Sequence, residues 1–133
     1  MEDTMWLFTR YGFFSIAAGR PDEGAPEMVM VRARARKHLE ALKRRFQTSM
    51  KKYRVEEHND RDYKFRIILP KRVWEDTIAT LAEEQTWSNF KGEAARFAKD
   101  ATYSHVLHKI WHLMFDAGQE WEIEQEMLDS DSE

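Results

Sequence analysis

With 133 residues and 42% apolar side chains, the chain can enclose one hydrophobic core and not two. It has no cysteine, which excludes disulfides, thiolate metal centres and cysteine nucleophiles. Apolar runs such as Phe13–Ala18 fall far short of the roughly 20 residues that span a bilayer. Glu2 and Asp3 stand where a signal peptide carries bases, so the expectation is a cytoplasmic protein with no membrane partner. The net charge of −3 hides a separation. Residues 28–72 hold fifteen Lys/Arg against five Asp/Glu, and residues 81–133 hold four against twelve. Such a chain has a basic and an acidic half, and its surface field can orient a partner.

In chain order, Met5 to Ala18 reads as one strand with a bend or bulge at Gly12, because large and β-branched residues dominate it. The run GRPDEGAPE at 19–27 has the glycines and prolines of a loop, spaced unlike a phosphate-binding loop. Met28 to Val31 is a short extended piece. Val31, Ala35, Leu39, Leu42 and Phe46 recur at spacings of four and three, which predicts a helix over 31–46 with Arg32, Arg34, Arg36 and Lys37 on its flanks. Lys43, Arg44 and Arg45 suit its carbonyl end.

A hairpin is expected next, with strands at 52–58 and 63–69 around Asn59–Asp60. Tyr63, Phe65, Ile67 and Leu69 should face the core, and Lys64 and Arg66 the solvent. Pro70 ends the second strand, and a helix over 71–84 buries Val73, Trp74, Thr77, Ile78, Leu81 and Ala82. Ser88 is a candidate cap for a helix carrying Phe90, Ala94 and Phe97. Asp100 is a candidate cap for the last helix, whose buried stripe is Tyr103, Val106, Leu107, Ile110, Leu113 and Met114. The expected domain is residues 1–117, followed by an acidic, marginally helical tail over 118–133. The fold class is α+β, in the order β-α-β-β-α-α-α. About three antiparallel or mixed strands carry helices mainly on one face, like an incomplete split β-α-β unit.

Three groups of residues merit attention as sites. His105, His108 and His112 fall within about one sixth of a turn on the last helix, at spacings that let imidazoles converge on a metal. Lys109 follows His108 where HExxH would place its glutamate. Arg32, Arg34, Arg36, Lys37, Lys64 and Arg66 form a basic region suited to phosphates or an acidic partner. With Tyr63 and Phe65 turned towards the core, that region lacks the interleaved aromatic rings of single-strand binders. His58, Asp60 and Asp62 cluster at a turn, without a nucleophile placed to meet them. Arg10 and Ser15 are polar groups in an aromatic strand, costly there unless hydrogen-bonded. No motif implies a cofactor.

The ordered series Met5-Trp6-Leu7-Phe8-Thr9-Arg10-Tyr11-Gly12-Phe13-Phe14-Ser15, Met30-Val31-Arg32-Ala33-Arg34, Asp62-Tyr63-Lys64-Phe65-Arg66-Ile67, Pro70-Lys71-Arg72-Val73-Trp74 and Asn89-Phe90-Lys91 resembles a family of small bacterial proteins of uncharacterised function. Tyr103, Ile110, Trp111 and Met114 fit the same pattern. The resemblance implies an autonomous domain that keeps opening strand, arginine-rich helix and hairpin together, and it brings no activity, substrate or cofactor. From these features the expected function is a small non-enzymatic interaction protein of bacterial or phage origin, accessory or inhibitor-like, docking on a protein partner through charged surfaces. The alternatives are nucleic-acid binding through residues 32–72, and metal binding or catalysis at the histidine stripe.

Overall fold

The computed structural model describes residues 4–19 and 27–131. Most of the loop expected over 19–27 lies outside the described residues, as do Glu2, Asp3 and Glu133. The chain divides into two compact units, Met1–Ala98 and Lys99–Glu133. The fold is α+β, and its first unit is built on a five-stranded antiparallel sheet.

The sheet has two more strands than expected. The opening segment folds back on itself as β1 (Thr4–Thr9) and β2 (Gly12–Ala18). The turn between them is built by Thr9, whose Oγ1 accepts hydrogen bonds from the Tyr11 and Gly12 N–H groups, at 3.0 and 3.2 Å, and donates to the Gly12 carbonyl. Gly12 takes φ +147°, a conformation open to glycine. A Cβ there would also collide with the His38 ring.

The second difference concerns the arginines. Residues expected to open a helix form β3 (Met28–Ala33), and α1 begins only at Arg36 (Arg36–Arg45). Val29, Val31 and Ala33 alternate with Met30 and Arg32, a strand period. Pairing to both neighbours secures it: Ser15 faces Arg32 on one side and Arg66 faces it on the other. Arg32 therefore lies on a central strand and not on a helix flank. A short helix α2 (Gln47–Met50) follows, then β4, which is only Glu56–Glu57, and β5 (Phe65–Pro70). The strand order is β1-β2-β3-β5-β4.

One sheet face carries the core. Phe14, Ile16, Val29, Val31, Ala33, Ile67 and Leu69 pack with Leu39, Leu42 and Phe46 of α1 and its end, with Met50, and with Trp74 of α3 (Lys71–Glu83). Val73, Ile78 and Leu81 are half-buried against this cluster, whereas Ala82, expected inside, is exposed. Helix α4 (Phe90–Ala98) is capped by Asn89, whose Oδ1 accepts the Gly92 N–H at 3.2 Å, and not by Ser88.

The second unit is the helix α5 (Ala101–Asp131) with its preceding turn. Asp100 caps it as expected, accepting the Tyr103 N–H at 3.1 Å. The helix passes through residue 117 without a break. Of its expected buried stripe, Tyr103 and Leu107 are buried, but Val106, Leu113 and Met114 are exposed. Amphipathic spacing identifies an apolar side; it does not supply a surface to cover it. Among the described residues no helix is long and apolar enough to cross a membrane.

Candidate binding face of the sheet

Antiparallel register stacks one residue from each strand into a row on the face opposite the core. Trp6 stands beside Ser15, Ser15 beside Arg32, Arg32 beside Arg66, and Arg66 beside Glu56. Two arginines thus face each other directly across a central strand pair, where like charges repel. Around this row lies a cavity of about 520 Å³ lined by Thr4, Trp6, Ser15, Met30, Arg32, Arg34, Arg61, Asp62, Tyr63 and Arg66. Its lining carries four guanidiniums and one carboxylate.

Each cation is held differently. Arg32 is buried; its Nη2 donates to Ser15 Oγ at 2.9 Å, and its guanidinium lies 4.8 Å from the centre of the Tyr63 ring. Arg34, just past β3 and exposed, grips Asp62 with two bonds of 2.5 and 3.1 Å and lies 4.3 Å from the same ring. The hydrogen bonds from Arg34 hold the Asp62 carboxyl below its ordinary range, and Arg32 adds to the effect. The same contact raises Arg34, so this guanidinium stays charged throughout. Arg66 donates to the Tyr63 carbonyl at 3.4 Å.

Aromatic rings border the cations. Trp6 is 66% exposed and packs edge-on against Phe13, with centroids 5.9 Å apart. Phe13 stacks on Phe8 at 4.6 Å and lies 6.4 Å from Tyr63. The expectation that Tyr63 shares the core face with Ile67 is therefore overturned. Tyr63 precedes β5, outside the strand alternation, and its ring turns beneath the arginines.

Of the basic residues singled out in the sequence, the fold gathers Arg32, Arg34 and Arg66 into the cavity. Arg36 instead pairs with Glu40 at 3.0 Å on the outside of α1. Lys37 and Lys64 are exposed and do not line the cavity. Sequence reasoning missed Arg61 and Trp6; the signal for Trp6 was its alternation with the core residue Leu7. The cavity also brings Ser15 and Asp62 together, but Arg32 holds the hydroxyl, Arg34 holds the carboxylate, and no imidazole lines the site. His58 bonds Glu56 at 3.1 Å instead of joining Asp62.

On α5, His108 and His112 bring their Nε2 atoms within 3.1 Å, and His105 is not part of that contact. Among the described residues no three His, Asp or Glu side chains converge as a metal site requires.

Arg10 has a structural setting. It pairs with Glu84 at 3.3 Å and Glu93 at 3.0 Å, and the Phe97 and Trp87 rings lie 4.5 and 5.1 Å away. Burial works to lower its pKa, and the bonds to Tyr11 and Glu93 outweigh that and raise it. Tyr11 donates to Glu84 at 2.7 Å, and Arg45 reaches the same carboxylate at 2.8 Å. Burial first, then the Glu84 bond, pushes the Tyr11 phenol up. Glu93 also pairs with Arg96. This network ties the β1–β2 turn to α3 and α4. Comparison with protein families, curated proteins and solved structures finds no match.

Proposed function

We propose that the protein binds single-stranded nucleic acid on the sheet face that carries Trp6, Arg32, Arg66 and Tyr63. The observation that carries this reading is the exposed Trp6 ring at the border of one concave site lined by guanidiniums. Backbone phosphates are attracted to the guanidiniums, and a base stacks on the tryptophan. The directly opposed Arg32 and Arg66 strengthen the case, because an anion seated between them relieves their repulsion. The cavity volume of about 520 Å³ lies within the ~300–1,000 Å³ typical of ligand sites. An acidic protein partner would use the same arginines and would also bury Trp6, so an acidic peptide is the control that separates the two.

Fluorescence titration with single-stranded oligonucleotides tests the proposal. Binding should quench tryptophan emission, and Trp6→Ala should abolish most of the quench while weakening affinity by roughly five- to a hundred-fold, since a base–aromatic stack contributes about 1–3 kcal/mol. Arg61→Glu, an exposed change, should weaken binding further. With three phosphates neutralised, the slope of log K against log salt should be about −2. Absence of binding at low salt to both DNA and RNA strands would overturn the reading, as would equally tight binding of a polyglutamate peptide.

A further inference from the structure

The helix α5 carries a pair of side chains with a chemistry of their own, independent of the sheet. His108 and His112 are exposed, one turn apart, with Nε2 atoms 3.1 Å from each other and ring planes at 88°. Between neutral rings such a contact uses one Nε2 as donor and the other as acceptor. When the donor ring instead carries its proton on Nδ1, both Nε2 lone pairs converge on the same space. With metal–nitrogen bonds of about 2.0–2.1 Å, nitrogens at that spacing subtend roughly 95–102° at an ion between them. Tetragonal and tetrahedral ions both accept an angle in that range.

We propose that His108 and His112 form a two-ligand site for a late first-row divalent cation, with Cu2+ held most tightly. Imidazole suits these ions, and their affinity for nitrogen ligands peaks at Cu2+. Two side chains leave the other coordination positions to water. The site is therefore exchangeable, unlike the closed centres of three or four ligands, which the described residues do not form. The helix holds the pair in place, so an ion on one imidazole meets the second without any further ordering of the chain. Both rings are open to solvent, which gives the ion its entry path. The field along α5 also draws cations, since residues 101–131 carry seven carboxylates against the single base Lys109. His105 lies outside the contact and has no place among the ligands.

Trp111 reports on the site, because its ring lies 5.0 Å from that of His112 and bound Cu2+ quenches a nearby indole. Cu2+ titrated into the full chain should quench tryptophan emission with a component that saturates at a one-to-one ratio. His108→Ala and His112→Ala should each weaken that component by about a hundred-fold, since the remaining imidazole loses its chelating partner. His105→Ala should leave it unchanged. All three positions are exposed and alanine favours a helix, so circular dichroism should show the fold intact. Trp111→Phe should remove the quench and keep the stoichiometry measured by calorimetry. Unchanged Cu2+ affinity in both His108→Ala and His112→Ala would overturn the proposal. So would an equal loss in His105→Ala, which would show a diffuse histidine surface holding an adventitious ion only.

Discussion

Gly12 and Arg10 occupy neighbouring places in one turn and answer to different forces. At Gly12 the constraint is steric: φ is +147° and the His38 ring fills the space where a Cβ would stand. Gly12→Ala should therefore destabilise by about 2 kcal/mol or more, read as a lowered midpoint in urea with an unchanged slope. At Arg10 the constraint is electrostatic, since Glu84 and Glu93 close on it within an aromatic surround. Arg10→Met keeps the packing and removes the cation shared by the two carboxylates, leaving Glu84 with Arg45 and Glu93 with Arg96, at a cost on the order of 2 kcal/mol in the same measurement. The sequence declared Arg10 and Ser15 as polar residues needing partners. It could not name those partners, because Glu93 lies 83 positions away and Arg32 lies 17 away.

At the scale of elements, local rules worked where they competed with nothing. The helix over 71–84 matches α3 to within a residue at its end, and Asp100 caps α5. They failed where two patterns overlapped. Residues 31–46 hold helix-spaced apolar positions and strand-spaced arginines at once, and strand pairing on both sides decided for β3 through Ala33. The β1–β2 turn was hidden because Thr9 makes it through its hydroxyl, between segments that are apolar on both faces. Asn89 in place of Ser88 is a one-residue shift with a direct test. Asn89→Ala should cost about 1 kcal/mol through the lost bond to the Gly92 N–H, while Ser88→Ala should change thermal stability little.

Across the whole molecule, half of the candidate binding site was legible and half was not. Composition located the cations at Arg32, Arg34 and Arg66, yet their convergence depends on register between strands far apart in sequence, and Tyr63 joins them only because it lies before β5. The pH response also belongs to this scale. The carboxyls of Asp62 and Glu93 are held low by hydrogen bonds from Arg34 and from Arg10. Their stabilisation is fully present above the unfolded carboxylate range of about 4, and it is lost as pH falls through the lower folded values. Urea unfolding should show stability dropping below pH 4, and Glu93→Gln should flatten that drop.

The facing guanidiniums of Arg32 and Arg66 carry a further consequence for stability. Two like charges at adjacent sheet positions cost the fold part of its stability, and the anion binding proposed above would return some of it. Occupancy should therefore be readable as heat resistance. A ligand at one hundred times its dissociation constant adds about 2.7 kcal/mol to the folded state. A melting-temperature survey of oligonucleotides, mononucleotides and inorganic polyphosphate would rank the anions by how well each completes the sheet.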